Sequence, residues 1–168
     1  APNQEWGLDF MCDGVASGRG IRMLTSVDGY TRECPAIEVG VSVGSRRVTR
    51  ALDRVIAERG APKSLRCDNG PEFTSRHFIA WCEQRGITLV HIEPGRPMRN
   101  GYVESFNGRF RDECLNANWF VNMVDAKQKI ERWRKEYNGE RPHSSLDYRT
   151  PAEFARTCSE LTSRMAAT

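Results

Sequence analysis

The hydrophobic pattern of this chain changes its period near residue 45, and this change limits the folds that the chain can adopt. Before it, Trp6, Leu8 and Phe10 alternate with small or polar residues, and Ile21 and Met23 continue the period of two. After it, apolar residues recur at helical spacing, at Val48, Ala51, Leu52, Val55 and Ile56. Alternation is typical of strands, and the second spacing is typical of amphipathic helices. The change predicts an α/β fold, with a five-stranded mixed sheet flanked by helices.

The remaining elements follow from the same two periods. We expect a third strand over about 32–41, further strands over 64–67 and 87–92, and a long helix over about 100–116. The strand over 87–92 is rich in apolar residues, so we expect it to be buried. Asp125 is positioned to cap a following helix. Thr150 to Glu153 has the pattern of a capping box with Pro at the first helical position, which predicts a short terminal helix.

The amino-acid composition limits the possible classes of function but does not identify one. The chain has 168 residues and a net charge of +3, and all but four of its 25 basic residues are Arg. Arg binds phosphate through paired hydrogen bonds, so the bias is compatible with a nucleic-acid partner, although codon bias in a GC-rich genome is the simpler explanation. The six Cys residues lack CxxC spacing, which argues against a zinc site or a disulfide framework and favours a reducing cytoplasm.

The sequence contains no pattern for insertion into a membrane. Every apolar run is shorter than the roughly 20 residues of a membrane span, so we expect no membrane partner. The chain opens with Ala1 and lacks a signal-peptide pattern. We therefore expect it to begin within a longer protein.

Three acidic residues stand out by position. Asp9 lies within a strand, Asp68 follows the strand over 64–67, and Glu104 lies in the first turn of the long helix. Strands are depleted in Asp, whereas an Asp in a turn or a Glu at a helix start also has a purely structural explanation. If the strands that carry Asp9 and Asp68 are neighbours, all three carboxylates can converge. Such a cluster requires a cation, and hard oxygen ligands select Mg²⁺ or Mn²⁺, two of which suit phosphoryl transfer.

The long helix carries two stripes. Its core stripe is predicted to consist of Val103, Phe106, Phe110 and Cys114. A second stripe lies about 90° away and places Glu104, Asn107 and Arg111 on one face. One carboxylate therefore shares a face with an amide and a guanidinium.

Four segments together resemble a known family. Trp6 and Asp9 form W-x-x-D, residues 67–73 read CDNGPEF, and residues 100–111 read NGYVESFNGRFR. Thirty-five residues separate Asp68 from Glu104. These motifs resemble the catalytic core of DDE transposases and retroviral-type integrases. Residues 137–154 resemble the C-terminal signature of bacterial insertion-sequence transposases with an integrase-like core.

The resemblance implies a ribonuclease-H-like fold and a two-metal site. Asp9 would bridge two Mg²⁺ or Mn²⁺ ions, Asp68 would complete one ion's site, and Glu104 would complete the other. The implied reaction is cleavage at DNA 3′ ends followed by strand transfer. Relatives often carry a small hydroxyl residue where this chain has Glu93, so Glu93 is either a bystander or tunes the metal site.

Five residues near these acids are candidates for contacts with DNA. They are Arg96, Arg99, Asn100, Asn107 and Arg111. Asn100 has an alternative role as the helix N-cap. His143 lies in a segment that packs against the core in this family, so we expect it to be structural.

The resemblance also sets expectations for domains and partners. We expect residues 1–157 to form the catalytic core and residues 158–168 to form a disordered tail or a helical extension. The family's N-terminal helix-turn-helix region is expected to be absent from this chain. The implied partners are transposon-end and target DNA, with a homodimer or higher multimer in the bacterial cytoplasm.

Two other functions remain open at this stage. One is a ribonuclease-H-like nuclease that cuts without strand transfer, and the other is a non-enzymatic DNA-binding remnant of a decayed element. The spacing of the acids and the C-terminal signature argue against the first. The presence of all three acids argues against the second.

Overall fold

The computed structural model describes residues 1–96 and 101–167. Its strands are β1 (Glu5–Gly14), β2 (Gly20–Asp28), β3 (Ala36–Gly40), β4 (Ser64–Cys67) and β5 (Thr88–His91). They form one sheet in the order β3–β2–β1–β4–β5. The first three strands pair antiparallel, and β4 and β5 add in parallel. The predicted five-stranded mixed sheet is therefore confirmed.

Helices cover both faces of this sheet. In the described residues they are α1 (Ser45–Arg59), α2 (Pro71–Thr74), α3 (Arg76–Gln84), α4 (Gly101–Phe110), α5 (Met123–Gly139) and α6 (Pro151–Ala166). Trp6 and Leu8 of β1 belong to a core cluster with Leu52 of α1. Met11, also on β1, belongs to a second cluster with Phe106 of α4. Because successive residues of a strand point to opposite faces, β1 is the central strand of a three-layer structure.

The third strand is shorter than predicted. Residues 29–35 form a connection around Asp28, whose side chain is completely buried. One Asp28 oxygen accepts hydrogen bonds from the backbone N–H groups of Tyr30 and Thr31, at 2.9 and 3.1 Å. Asp28 therefore organises a long turn, and β3 begins only at Ala36.

The prediction that the strand over 87–92 is buried is wrong for most of its length. β5 pairs only with β4 and forms an edge of the sheet. Ile87 is buried, but Thr88 is exposed and residues 89–91 are half-buried. Apolar composition alone did not distinguish an edge strand from a central one.

The predicted long helix continues beyond α4 but changes its type. A π-helical turn, Arg111–Leu115, follows Phe110, and the N–H of Asn116 donates to the carbonyl of Arg111 at 2.8 Å. The predicted core stripe is buried, including Cys114 within this turn. The wider turn also buries Leu115, the next residue.

The start of α5 differs from the prediction by three residues. Asn122, not Asp125, is the N-cap, and its side chain accepts from the N–H of Asp125 at 2.9 Å. Asp125 in turn accepts from the N–H of Val121 at 2.9 Å. The acidic residue therefore takes part in a reciprocal cap but occupies the third helical position.

The capping box at Thr150 and Glu153 is present, and it opens α6. This helix extends to Ala166, so residues 158–166 are helical. Within the described ranges, none of the helices is long and apolar enough to cross a membrane.

Candidate active site

Asp9 is held at the centre of β1 by two hydrogen bonds. Its Oδ1 accepts from the backbone N–H of Phe10 at 2.8 Å. Its Oδ2 accepts from Nδ2 of Asn107, on α4, at 2.9 Å. The half-buried carboxylate therefore faces α4 and is fixed by that helix.

Asn107 is itself held by β2. Thr25 is the direct pairing partner of Asp9 in the β1–β2 register. The Thr25 hydroxyl donates to Oδ1 of Asn107 at 3.0 Å, and both residues are buried. Thr25 is not among the residues predicted from the sequence. Pairing the two alternating runs across their turn is the signal that identifies it.

Asp68 follows β4, the parallel neighbour of β1. Gly7 pairs with Arg66, so Asp9 and Asp68, each two residues further along, lie at the same level of the sheet. Asp68 is exposed, and its Oδ1 accepts from the N–H of Gly70 at 2.8 Å. A Cβ at position 70 would lie 2.9 Å from this oxygen, so glycine makes room for the Asp68 carboxylate.

An ion pair lies beside Asp68. Glu72 of α2 pairs with Arg22 of β2, whose guanidinium lies 3.8 Å from the centroid of the Phe10 ring. A Cβ at Gly70 would also lie 3.2 Å from Oε2 of Glu72, a buried oxygen without a hydrogen-bond partner among the described residues. Asp68 and Glu72 therefore flank Gly70. The pKa of Arg22 is raised, chiefly by its hydrogen bond to Glu72 and more weakly by the charge of Asp68.

This pair was also not predicted as part of the site. Glu72 is contained in the CDNGPEF motif, but its partner Arg22 is fifty residues earlier in the chain. Only the placement of β2 beside β1 brings the two together.

Asp9, Asp68 and Glu104 line one cleft of about 650 Å³, called here the carboxylate cleft. Glu104 is exposed on the first turn of α4. Burial raises the pKa of Asp9, and the negative charges of Asp68 and Glu104 raise it further, whereas the hydrogen bonds from Phe10 and Asn107 lower it. The structure thus brings the three predicted carboxylates to one surface, where their charges act on one another.

The donor chemistry of the carboxylate cleft fits Mg²⁺ or Mn²⁺, because both prefer carboxylate oxygens. Within the described part of the chain, none of the three carboxylates forms an ion pair with Arg, Lys or His. A cation would offset the like charges that meet at Asp9. In residues 1–96 and 101–167, no group of three or more His, Cys, Asp or Glu side chains is arranged to hold a metal ion.

Arg96 also lines the carboxylate cleft. It is exposed and forms an ion pair of 3.3 Å with Glu93, which lines the same cleft. Glu93 is thus partly neutralised by a residue that we predict to contact DNA. Two further predicted contacts, Arg99 and Asn100, lie outside the described residues. Contact of DNA with any of the three basic or amide side chains stays a prediction.

Asn107 and Arg111, the other predicted DNA contacts, both bind β1. Asn107 donates to Asp9, and Nη2 of Arg111 donates to the carbonyl of Cys12 at 3.0 Å. The stripe that they share with Glu104 therefore faces the strand that carries Asp9. Asn107 is only 9% exposed, and the contacts made by its amide are within the chain. Binding of DNA by Asn107 or Arg111 stays a prediction.

The fold resembles those of solved viral integrases. A chain of the simian T-cell lymphotropic virus intasome, in complex with PP2A regulatory subunit B56 gamma, superposes with a TM-score of 0.75 at 21% identity, covering 91% of this chain and 54% of that one. The HTLV-2 integrase catalytic core domain in complex with magnesium gives 0.73 at 18% identity, covering 91% and 96%. At these identities the likeness concerns the fold alone. It confirms the predicted ribonuclease-H-like architecture.

Sequence comparison is more specific. Two profiles, each described as an integrase core domain, match residues 1–97 and 85–151. The 31.7 kDa protein of insertion element IS407 from Burkholderia multivorans is 48% identical over 155 residues, covering 92% of this chain and 56% of the relative. The 39.2 kDa protein of insertion element IS476 from Xanthomonas euvesicatoria is 51% identical over 154 residues, covering 92% and 44%. The chain spans about half the length of these curated relatives.

These comparisons agree with the family that the sequence motifs predict. One profile alone matches more than half of the chain, and the insertion-element relatives are similar over almost all of it. The chain belongs to the integrase core domain family, and it is similar over most of its length to proteins of bacterial insertion elements.

Proposed function

We propose that this domain cleaves DNA at the 3′ ends of a mobile element and transfers those ends to target DNA, in a reaction that depends on a divalent metal. The observation that carries the proposal is the meeting of Asp9, Asp68 and Glu104 in one cleft. Their like charges raise the pKa of Asp9, after the larger effect of burial. No cation of the described chain pairs with them, so the cleft suits a bound metal, which would in turn attract the phosphate groups of DNA.

In this proposal the three carboxylates bind two ions of Mg²⁺ or Mn²⁺. When bound, such ions activate the attacking oxygen and stabilise the leaving 3′-oxygen of an in-line displacement. Asn107 and the N–H of Phe10 each use one acceptor position of Asp9, which leaves further lone pairs free for a ligand. Both contacts orient Asp9 before any ligand arrives.

Asp68 and Glu104 differ in how they are held. The N–H of Gly70 orients Asp68. Glu104 is exposed, and its side chain makes no hydrogen bond within the described residues. We infer that Asp9 and Asp68 form the preset part of the site and that Glu104 joins them when a cation neutralises the three charges.

The test is nicking of duplex DNA in the presence of Mn²⁺. We expect the wild-type domain to nick DNA and Glu104→Gln to be at least about a hundredfold slower, because one ligand of the metal is lost. The matched control is Glu160→Gln, which removes the charge of an exposed glutamate on α6 and should leave the rate unchanged. Nicking that needs no divalent ion, or Glu104→Gln at the wild-type rate, contradicts the proposal.

Strand transfer is tested separately from cleavage. A DNA duplex with a pre-cut 3′ end bypasses the first step, so any joined product reports transfer alone. We expect joined products that require the same metal. Cleavage without joined products would instead identify a nuclease that lacks strand transfer.

DNA is the proposed partner, in a complex that contains at least two copies of the domain. Strand transfer acts on two ends, so one copy per end is the minimum. We expect DNA to convert the domain into a dimer or higher multimer in light scattering, and its DNA affinity to fall with salt as phosphate contacts release counterions. A monomer whose mass is unchanged apart from the bound DNA contradicts the multimer.

A further inference from the structure

A second cavity lies on the opposite flank of α4 from Glu104. It has a volume of about 330 Å³ and is called here the basic pocket. The polar groups that define it come from three separate segments and are Arg32, Ser105, Arg109, His143, Ser144 and Ser145. None of the described residues that line it is acidic. Two arginines and three serines therefore line one small cavity.

Neither guanidinium is neutralised by the described part of the chain. Arg32 and Arg109 form no ion pair there, although Arg22, Arg47, Arg59 and Arg66 all do. Arg109 uses Nη1 to bind His143 at 3.0 Å. For the side chain of Arg32, the described contact is the ring of Tyr102, at 5.4 Å from its centroid. A guanidinium has five N–H donors, so most donors of this pair have no acceptor among the described residues.

His143 provides an independent indication that a hydrogen-bond acceptor binds in this region. It is 4% exposed, and its Nε2 is buried without a hydrogen-bond partner among the described residues. Because Arg109 can only donate, Nδ1 of His143 must accept, and Nε2 must carry the hydrogen. A buried N–H without an acceptor is costly, and a ligand with acceptor oxygens would remove that cost.

The charges around His143 indicate the sign of the ligand. The pKa of His143 is lowered to about 4, chiefly by burial and then by the charges of Arg109, Arg141 and Arg32, against an opposite effect of Glu113. Arg141 is paired with Glu113, so Arg32 and Arg109 are the cations without a counter-charge. The potential at the pocket is positive, which favours an anion.

Arg32 is presented to the pocket by a rigid turn. Its φ is 63°, a left-handed conformation that is strained for a residue with a side chain. The Arg32 N–H donates to the carbonyl of Asp28 at 2.9 Å, and its own carbonyl accepts from the hydroxyl of Tyr137 at 3.1 Å. The turn therefore holds the guanidinium beside the pocket at the expense of backbone strain, a pattern found at functional sites.

We propose that the basic pocket binds a phosphate group through Arg32, Arg109 and the surrounding serine hydroxyls. Paired guanidinium donors match phosphate oxygens, and serine hydroxyls add further donors. Two sources have this chemistry, the DNA backbone and free phosphate. The DNA source rests on the proposed function, since it requires DNA to reach α4 from both flanks, with the carboxylate cleft on one and the basic pocket on the other.

The first experiment is a titration of the wild-type domain with inorganic phosphate, without metal or DNA. The chain has three histidines, so their side-chain NMR signals can be followed individually. We expect the signals of His143 to shift and to saturate, and those of His77 and His91 to stay in place. If the His143 signals do not shift, or if all three histidines shift equally, the proposed phosphate site is wrong.

Variants of Arg32 distinguish specific phosphate binding in the basic pocket from a general effect of removing positive charge. Arg32→Gln should weaken phosphate binding by about tenfold, because charge-assisted hydrogen bonds are lost. Arg32→Lys should recover part of the loss, because it retains the charge. The matched control is Arg132→Gln, which removes an exposed cation on α5 outside the pocket and should bind phosphate as the wild type does. Equal weakening by Arg32→Gln and Arg132→Gln overturns the proposal.

The second experiment distinguishes the two sources. If the pocket takes a backbone phosphate, Arg32→Gln should reduce the slope of log affinity against log salt by about 0.9 for duplex DNA, the value for one phosphate contact. An unchanged slope together with phosphate binding overturns the DNA contact and supports a site for free phosphate. Failure of metal-dependent cleavage would leave the phosphate titration unaffected, so the two proposals fail independently.

Discussion

Helix α4 separates two regions with opposite electrostatics. On one flank, Asp9 meets the like charges of Asp68 and Glu104, and its pKa is raised. On the other flank, His143 meets the like charges of Arg109 and other arginines, and its pKa is lowered to about 4. Burial is the largest cause in both cases. In each region the chain places charges of one sign together and disfavours the charged form of the group among them.

The difference shows how one helix can serve two ligands. Consecutive residues of a helix point about 100° apart, so Glu104 and Ser105 reach different flanks although they are adjacent in sequence. A cation on the acidic flank and a phosphate on the basic flank would each relieve the local repulsion. Substitutions on one flank at a time separate the two effects.

The largest effect is expected on the acidic flank. Asp9→Asn removes the charge of the best-anchored carboxylate, and we expect metal-dependent DNA cleavage to fall roughly a thousandfold or more. The variant should also lose stabilisation by Mn²⁺, which for the wild type reaches about 2.7 kcal/mol at a hundred times the dissociation constant. Cleavage assays and thermal melts with and without Mn²⁺ measure the two effects.

Phosphate binding is the internal control for Asp9→Asn. The basic pocket does not contain Asp9, so His143 should respond to phosphate as in the wild type. A variant that still cleaves DNA, or that Mn²⁺ stabilises as strongly as the wild type, would remove Asp9 from the proposed site. Loss of the phosphate response as well would indicate that the fold, not the acidic flank, was damaged.

A smaller effect is expected from the residue that holds Asp9. Asn107→Asp replaces the donor that lies 2.9 Å from Oδ2 of Asp9 with a fourth carboxylate. We expect cleavage to fall by about a hundredfold, since misplacement of a reacting group by about 1 Å has an effect of this size. A higher Mn²⁺ concentration should recover part of the rate, because the added charge attracts the cation while it repels Asp9. Rates measured over a range of Mn²⁺ concentrations test this.

Thr25→Val provides the graded control for Asn107. It keeps the shape of the side chain but removes the hydroxyl that donates to Asn107 at 3.0 Å. Its effect should have the same direction as that of Asn107→Asp and be several-fold smaller, because Asn107 can still reach Asp9. If Thr25→Val were more damaging than Asn107→Asp, the hydrogen-bond chain from Thr25 to Asp9 would not be what orients the carboxylate.

Much of the fold could be predicted because it depends on local periodicity. The change from a period of two to helical spacing located the first two strands and α1, and the capping box located the start of α6. The predictions failed where tertiary packing, rather than local sequence, determines the structure. The position of β5 at the sheet edge and the π-helical turn after Phe110 depend on what packs against them.

The site shows the same division. The convergence of Asp9, Asp68 and Glu104 on one cleft could be predicted from their positions relative to strands and helices and from the family motifs. Thr25 and the Arg22–Glu72 pair could not, because they reach the site through the pairing of β2 with β1. The basic pocket depends on contacts between a turn, α4 and the segment after α5, and no local pattern relates Arg32 to His143.

The smallest effect is expected on the basic flank, in the dependence of stability on pH. The pKa of His143 is about 4 in the folded protein and about 6.5 in the unfolded chain. Between these values the unfolded chain binds a proton that the folded protein excludes, so the free energy of unfolding falls as pH drops from 6.5 to 4. Above 6.5 both states are neutral, and below 4 both are protonated, so the contribution is constant there.

We expect wild type to lose on the order of 2 kcal/mol more stability than His143→Gln across this window. Urea unfolding at several pH values measures the difference, and comparing the two proteins cancels the titration of the carboxylates. Saturating phosphate should reduce the loss in the wild type, because an anion beside Arg32 and Arg109 makes protonation of His143 less unfavourable. If both proteins lose the same stability between pH 6.5 and 4, protonation of His143 does not destabilise the fold. The lowered pKa of His143 would then no longer be the counterpart of the raised pKa of Asp9. Phosphate binding is tested separately by the titration.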